Sequence, residues 1–311
     1  MGERAGDGAG DGVVTTLRDL VELVRAPAAL TVPGDTLAGA ASAGWPAGAR
    51  SAALPVASTC LYWAGMALND WADRRTDAVE RPERPIPSGR VPARTALAVA
   101  TGLTAAGIAV SAAAGGRRSA ATAAVLAAAV WAYDLSPKQG PLSVATMAST
   151  RGLDVLLGAS AGGVPGLRAA AVPATLVAVH TAGVTALSRG EVHGGSTGMA
   201  RACVAATALV ATASALRTVP TAGRGRAGGA LGAAVSVALT GSYAVSVLRA
   251  QLAAARTPDA GTVRRATGAG IRGLVPLQGA ALAATGHHAA ALGFAASAPV
   301  GAAAMRRVSA T

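Results

Sequence analysis

The sequence predicts an all-α membrane protein, a polytopic bundle of about nine transmembrane helices. Hydrophobic residues make up 52% of the 311 residues and charged residues only 14%, whereas soluble domains carry about 25% charged residues. The mean hydropathy is +0.45. The apolar stretches consist mainly of Ala, Gly, Val and Leu, and small residues allow transmembrane helices to approach one another closely. Together these features favour a membrane bundle over a soluble domain.

The apolar segments recur along the chain, and most approach the ~20 residues that a bilayer crossing needs. The last segment is interrupted by Gly286-His287-His288, so ten crossings are the alternative to nine. Residues 1–14 are expected to form a flexible polar N-terminus, without a cleaved signal peptide, and residues 15–311 a single domain. The predicted segments are 17–44, 51–71, 93–114, 118–133, 141–162, 168–188, 199–216, 228–248 and 271–304.

The basic residues predict the orientation of the bundle. With a cytoplasmic N-terminus, 18 of the 27 Lys and Arg residues fall at the inner side, as the positive-inside rule requires. This predicts a multi-pass protein of the cell membrane. It also places the polar loops near residues 69–89, 133–138, 187–191 and 256–272 on one side. Because short loops between apolar segments account for the net charge of +12, nucleic acid is not expected as a partner.

An acidic stretch ends the second apolar segment. Asp70, Asp73 and Asp77 recur at i, i+3 and i+7, which places them on one face of a helix, and Asn69 lies on its flank. Three stacked carboxylates repel one another unless a cation lies between them. Oxygen ligands without Cys or His suit Mg²⁺, which often shares its coordination shell with phosphate. The alternative is a solvated helix end whose acids are offset by arginines, namely Arg74, Arg75, Arg81 and Arg84.

The order of residues in this stretch resembles a known family motif. Asn-Asp-x-x-Asp-x-x-x-Asp, followed by Arg-Pro-x-Arg-Pro-Ile-Pro-Ser-Gly over residues 69–89, resembles the first motif of the UbiA superfamily of intramembrane prenyltransferases. Tyr-Asp-x-x-x-Lys at 133–138 resembles a family loop, and Leu-Ser-Arg-x-Glu-Val at 187–192 is similar to a branch related to EboC. Where the superfamily usually carries a second Asp-rich motif, this chain has Ser188 and Glu191.

The resemblance implies a UbiA-like fold and Mg²⁺-dependent transfer of a prenyl group from a polyprenyl diphosphate to an acceptor within the bilayer. The acceptor would be aromatic or another small polar molecule. The implied catalytic residues and metal ligands are Asp70, Asp73 and Asp77, with Glu191 as a further metal ligand. The implied diphosphate-binding residues are Asn69, Lys138, Arg151 and Arg25. The residues expected to contact the acceptor or support the site are Asp35, Tyr133, Asp154 and Ser188.

Several polar residues within apolar segments leave alternatives open. Asp35 is either a functional carboxylate inside the membrane or a solvated group near the outer interface. Arg25 either reaches a phosphate or anchors the chain at the head groups. Arg151 and Asp154 share a helix face, and they either form a structural ion pair or combine so that Asp154 holds Arg151 toward the diphosphate. His180 is more often a packed polar residue than a ligand.

Two other functions remain possible on the sequence alone. A membrane carrier or flippase would use Asp35, Arg151 and Asp154 as an ion path and would tolerate Asp70→Ala. A non-catalytic isoprenoid-lipid-binding protein would explain the reduced second motif. The prenyltransferase hypothesis instead predicts that Asp70→Ala abolishes the release of diphosphate.

Overall fold

The computed structural model describes residues 15–26, 29, 32–137, 140–217 and 226–296, and within these ranges every regular element is a helix. The predicted N-terminal tail and Lys138 lie outside the described residues. A further helical stretch runs from 288 to 296. The helices are α1 (Leu17–Leu23), α2 (Pro33–Ser42), α3 (Ala53–Glu80), α4 (Ala93–Leu135), α5 (Pro141–Ala159), α6 (Gly163–Ser188), α7 (Thr197–Leu216), α8 (Arg226–Arg256) and α9 (Ala260–Ala284).

Five helical stretches of the described chain are long and apolar enough to cross a membrane, in agreement with the predicted multi-pass fold. Two of the five contain a turn between helical arms, at Gly116 in α4 and at Gly163 between α5 and α6. The five stretches are Gly48–Glu80, Ala93–Leu135, Pro141–Ser188, Thr197–Leu216 and Gly229–Arg256. When each arm is counted, and α2 and α9 are added, the described residues contain nine helices of the bundle.

The break at Gly116 turns α4 into an antiparallel pair of arms. Gly116 has a φ of 71°, a conformation that glycine adopts without steric penalty. Trp131 Nε1 donates a hydrogen bond to Thr104 Oγ1 at 3.2 Å, although 27 residues separate them. This contact requires the second arm to return alongside the first. The structure therefore confirms the separate segments predicted at 93–114 and 118–133.

Two predicted boundaries are wrong. The segment predicted at 17–44 contains two helices, α1 and α2, because Pro33 starts a new helix at its first turn. The loop predicted at 256–272 is helical from Ala260, where the Asp259 side chain caps the helix by accepting a hydrogen bond from the Thr262 amide at 2.9 Å. Arg264 and Arg265 face outward while Val263 and Ala266 are buried, so the charges belong to an amphipathic helix rather than to a loop.

Small residues bring α2 and α5 into backbone contact. A side-chain carbon at Gly39 would collide with the carbonyl oxygen of Val155, and one at Gly158 would collide with the carbonyl oxygen of Thr36. Such contacts are typical of helix packing in membranes, where side chains must not hold the backbones apart. The close crossing places Asp35 of α2 next to Arg151 of α5.

Residues of the loops that were predicted to share one side contact one another. Asn69 Nδ2 donates to Asp134 Oδ1 at 3.2 Å, and Arg264 donates to the Glu191 carbonyl oxygen at 3.2 Å. Arg189, after α6, donates to Ser143 Oγ at the start of α5 at 2.8 Å. The Gly195 amide donates to the Pro258 carbonyl oxygen at 2.8 Å, which joins the loop before α7 to the loop before α9. The α3, α4 and α6 C-termini thus lie at one end of the bundle, which we call the mouth.

An ion cluster fastens α1 to the loop that follows α3. Arg90 contacts Asp19 Oδ1 at 2.9 Å and Glu22 Oε2 at 2.7 Å. Hydrogen bonds from Thr16, followed by those from Arg90, hold the pKa of Asp19 below its usual value. The hydrogen bond from Arg90 likewise holds the pKa of Glu22 below its usual value. The cluster therefore stabilises α1 when both acids are ionised.

Acidification is expected to release α1. Because the folded-state pKa values of Asp19 and Glu22 are lowered, their stabilisation is complete above the usual carboxyl pKa of about 4 and is lost as the pH falls through the lowered values. A spin label at the exposed position of Leu17 should become more mobile as the pH falls from about 7 to below the usual carboxyl range of about 4 and through the lowered pKa values. In an Arg90→Ala variant the label should be mobile throughout, and a label that stays immobile at low pH in the native chain would contradict the assignment.

Candidate active site

The acidic motif lies on the last turns of α3, but its three aspartates have different surroundings. Asp70 is 3% exposed, and its Oδ1 lies 2.8 Å from Arg25 Nη2 and 3.4 Å from Arg84 Nη1. Asp77 is equally buried, and its Oδ2 lies 2.5 Å from the same Arg84 nitrogen. Arg84 therefore bridges two carboxylates that lie about two turns apart on the same face of α3, and Arg25 adds a second cation from the end of α1.

Asp73 lies between these ion pairs and lines a large cavity. Asn69, one turn earlier, also lines the cavity, and its Nδ2 donates to Asp134 Oδ1 at 3.2 Å. Asp134 is a buried carboxylate near the end of α4, and it is not among the site residues predicted from the sequence. Asp134 belongs to the Tyr-Asp-x-x-x-Lys stretch, which could have marked it as a site residue. Its contact with Asn69 could not be predicted, because the two residues are far apart in the sequence.

Two cavities lie side by side inside the bundle. The first has a volume of about 430 Å³ and contains Asn69, Asp73 and Asp134 in its wall. The second has a volume of about 450 Å³ and contains Ser188 and Glu191 in its wall. Both volumes are large enough for parts of a substrate. The two cavities share four wall residues, namely Tyr62, Tyr133, Met147 and Arg151.

Residues of α6 and α9 form part of the wall of the second cavity. Its polar wall consists largely of neutral hydroxyl groups, and Glu191 is its one carboxylate among the described residues. The backbone carbonyl of Glu191 accepts a hydrogen bond from Arg264 at 3.2 Å, so α9 helps to position this loop. The hydroxyl-bearing side chains of α6 and α9 in this wall are Thr181, Thr185, Ser188 and Thr267.

His180 is fixed within the protein core rather than free to bind a ligand. Its Nε2 lies 3.0 Å from the Gly270 carbonyl oxygen and its Nδ1 lies 2.9 Å from the Tyr243 hydroxyl. Because a carbonyl oxygen can only accept, Nε2 is the donor and Nδ1 accepts from the tyrosine. His180 is 4% exposed, and the expectation that it is a packed polar residue is confirmed.

A buried polar network lies deeper between the helices. Asp35 is fully buried, its Oδ2 lies 2.9 Å from Arg151 Nη2, and its Oδ1 accepts a hydrogen bond from Gln278 at 2.6 Å. The alternative that Asp35 is solvated near the outer interface is therefore wrong. Arg151 pairs with Asp35 rather than with Asp154, whose Oδ2 accepts a hydrogen bond from Ser58 at 2.7 Å. The sequence did not predict this pairing, because Asp35 lies on α2 and the periodicity of α5 relates Arg151 only to Asp154.

A model of the UbiA prenyltransferase family matches residues 29–261. The chain belongs to this family. It is 43% identical over 88 residues to digeranylgeranylglyceryl phosphate synthase of Natronomonas pharaonis, a stretch that covers 28% of the chain and 32% of that protein. It is 47% identical over 72 residues to the bacteriochlorophyll synthase 33 kDa chain of Cereibacter sphaeroides, which is 23% of each. The matched stretches thus span about a third or less of these curated relatives.

Solved structures of UbiA proteins share the fold. A structure of a digeranylgeranylglyceryl phosphate synthase superimposes with a TM-score of 0.62 at 14% identity, covering 86% of this chain and 98% of that one. The apo structure of a UbiA homologue from Aeropyrum pernix K1 gives a TM-score of 0.58 at 19% identity, covering 78% and 96%. These likenesses confirm the UbiA-like fold. The position of the chain in a branch related to EboC stays a prediction.

The donor groups at the mouth of this UbiA protein fit Mg²⁺. Among the described residues there is no group of three or more His, Cys, Asp or Glu side chains that forms a ready metal site. Mg²⁺ usually binds through one or two carboxylates together with substrate phosphates and waters, so it needs no complete protein cage. Asn69, Asp73 and Asp134 all line the cavity, and their side chains carry hard oxygen atoms. The roles predicted for Asp70 and Asp77 as Mg²⁺ ligands stay predictions, since both carboxylates are held by arginines here.

Proposed function

We propose that this UbiA protein transfers a prenyl group from a polyprenyl diphosphate to an acceptor, with Mg²⁺ as its cofactor. The observation that carries the proposal is the meeting of carboxylate and guanidinium groups at the mouth of a large cavity between membrane helices. Such a site can hold an anionic head group at the membrane edge while an apolar tail lies among the helices. The names of the relatives, which are synthases of prenylated lipids and pigments, support the same reaction.

The carboxylates at the mouth support a role for a divalent cation. Asp73 and Asp134 line the cavity beside Arg25 and Arg84. A diphosphate in this cavity would be repelled by the two carboxylates unless a cation lay between them. Mg²⁺ would also neutralise the charge that develops on the departing diphosphate.

The arginines of the mouth are positioned to bind the diphosphate. Arg25 and Arg84 line the cavity and at the same time contact Asp70. Asp70 therefore holds both guanidinium groups in place, and each still has donors that can face an incoming phosphate. Arg151 lies at the junction of both cavities. These preorganised charges favour cleavage of the bond between the allylic carbon and the diphosphate oxygen.

The cavity walls suit the reactive prenyl group. Tyr62 and Tyr133 border both cavities, and aromatic faces stabilise a nearby cation. By contrast, Trp63, Trp71 and Trp131 pack into an apolar cluster with Leu23 and other core residues. The tyrosines, rather than the tryptophans, are therefore the aromatic residues that would face a developing carbocation. Exclusion of water from this site would protect the cation from hydrolysis.

The bundle is proposed to lie in the cell membrane with the N-terminus and the mouth on the cytoplasmic side. The positive-inside distribution supports this orientation, and the inner loops identified in the sequence meet at the mouth. Water-soluble substrates and Mg²⁺ would then reach the site from the cytoplasm.

The test is a transfer assay in membranes. Membranes that contain the full chain are incubated with labelled prenyl diphosphates of several lengths, with and without Mg²⁺, and the lipid product is identified by mass spectrometry. Asp73→Asn is expected to lower the rate of product formation by at least about 100-fold, because stabilisation of charge by the bound metal is worth several kcal/mol. Glu80→Gln, an exposed carboxylate at the end of the same helix, is the matched control and should leave the rate unchanged.

The same assay distinguishes the alternative functions. A carrier or flippase would move lipid without forming a new product and would tolerate Asp70→Ala. A lipid-binding protein would retain the labelled diphosphate without turnover. If the native chain gives no Mg²⁺-dependent product with any chain length, the proposed transferase activity is refuted.

A further inference from the structure

A small polar chamber lies beyond the two main cavities. It has a volume of about 60 Å³, and it shares Tyr62 and Arg151 with both of them. One water molecule needs roughly 10–15 Å³ of such space, so the chamber has room for about four waters or one small polar group. Its remaining polar wall residues are Ser58, Thr150 and Asp154.

The chamber contains a buried carboxylate oxygen without a partner. Asp154 is 5% exposed, and its Oδ2 accepts the hydrogen bond from Ser58. Its Oδ1 has no hydrogen-bond partner among the described residues. An unpaired buried acceptor of this kind is costly, so the arrangement points to a donor that enters from the chamber.

The polar groups around the chamber select the kind of ligand group. Arg151 pairs with Asp35 through Nη2 at 2.9 Å, and its Nε has no hydrogen-bond partner among the described residues. Leu126 and Val130, which α4 contributes to the wall, carry no polar side chain. A hydroxyl group can donate to Asp154 Oδ1 and can also accept from Arg151 Nε, whereas an apolar group can do neither.

The proposed prenyl diphosphate is unsuited to the chamber. Its tail is apolar and has no donor for Asp154. Its head group is anionic and is expected at the mouth, where Asp70 and Asp73 lie. Ser58 precedes Asp70 by twelve residues on α3, which corresponds to a helical rise of ~18 Å. The acceptor is the substrate left to reach this chamber.

We propose that the chamber binds a hydroxyl group of the acceptor, which donates a hydrogen bond to Asp154 Oδ1. The acceptor is accordingly an alcohol, a polyol or a phenol. This inference rests on the proposed transferase function and narrows its acceptor class. Asp154 acts in recognition of the acceptor, and the bond-making atom of the acceptor lies nearer the mouth.

The first experiment identifies the acceptor half of the product. Membranes carrying the full chain receive tritiated geranylgeranyl diphosphate, Mg²⁺ and an aqueous extract of the cells that naturally make the protein as the acceptor source. The labelled lipid is analysed by mass spectrometry. An acceptor half that carries a hydroxyl group besides the prenylated atom supports the proposal, and one without such a hydroxyl group overturns it.

The second experiment tests Asp154 itself. Asp154→Asn preserves the shape of the side chain but removes the negative charge. The amount of extract needed for half-maximal transfer should rise about 10- to 100-fold, as expected for loss of a hydrogen bond to a charged group. Half-saturation by geranylgeranyl diphosphate should change by less than about twofold, since the mouth is untouched. Asp259→Asn, which keeps a capping side chain at α9, is the matched control.

A second variant tests the role of Asp154 independently, in case the first variant misfolds. Ser58→Ala removes only the donor that orients Asp154 and should raise the half-saturating amount of extract about fivefold. If both variants respond to the extract as the native chain does, Asp154 holds ordered water only and the proposal is overturned. If the native chain forms no product with prenyl diphosphates of any chain length, the transferase function fails and this inference fails with it, a result distinct from equal activity in native and variant chains.

Discussion

Gly158→Ala is expected to lower the free energy of unfolding by about 1–3 kcal/mol, the usual penalty for forcing extra volume into a packed interior. The new methyl group would meet the Thr36 carbonyl oxygen of α2. Backbone cannot rotate aside as a flexible side chain can, so α2 and α5 must separate. Unfolding of the purified protein by increasing SDS in mild detergent, followed by tryptophan fluorescence, measures the loss.

Gly241→Ala is the matched control for this change. Gly241 lies within α8 and has open space where a Cβ would be added. Alanine there should leave the protein unchanged or stabilise it by up to about 1 kcal/mol through its higher helix propensity. Equal behaviour of the two variants would show that the α2–α5 contact is not tight. Separation of α2 from α5 should also reduce prenyl transfer, because it moves Asp35 away from Arg151.

Removing one partner of the Asp35–Arg151 pair is expected to destabilise the protein by about 3–5 kcal/mol. Arg151→Met leaves the Asp35 carboxylate buried without its cation, and Asp35→Asn leaves the guanidinium of Arg151 without its anion. The double variant removes both charges and should lose less stability than the sum of the two single variants. The SDS unfolding assay on all four proteins forms a double-mutant cycle.

The sign of the coupling decides the interpretation of this pair. A coupling larger than about 1 kcal/mol in favour of the native pair confirms a direct interaction. Additive losses would contradict the ion pair and would mean that each residue is stabilised by other neighbours. Asp70→Asn is a useful comparison, because Asp70 has two arginine partners and Arg25 is partly exposed, so its loss should destabilise the protein less.

The helical class and the main segments could be predicted from the sequence because hydrophobicity and segment length are local properties. The acidic face of α3 was also predictable, since Asp70, Asp73 and Asp77 follow the helical repeat. The start of α9 was missed because its arginines suggested a loop. Val263 is buried against other helices. Hydropathy alone does not reveal that the arginines beside it lie on the exposed face of a helix.

The partners of the site residues could not be predicted in the same way. Asp35 and Arg151 are 116 positions apart, and Asn69 and Asp134 are 65 apart. Their contacts depend on how α2 crosses α5 and how α4 returns along α3. The sequence also showed arginines near Asp70 and Asp77 without showing that Arg84 would bridge both. Composition and periodicity carry no information about such long-range pairing.

The turn at Gly116 has a consequence for biogenesis. Arg117 and Arg118 follow it directly, so with a cytoplasmic N-terminus both guanidinium groups must be translocated to the far side as the arms of α4 insert. Charged groups resist this passage, and the two arms have to enter together as a helical hairpin. The Arg118 side chain then lies against Gly163 at the tip of the next hairpin. With that orientation, the contact would hold the tips of both hairpins together on the far side of the bilayer.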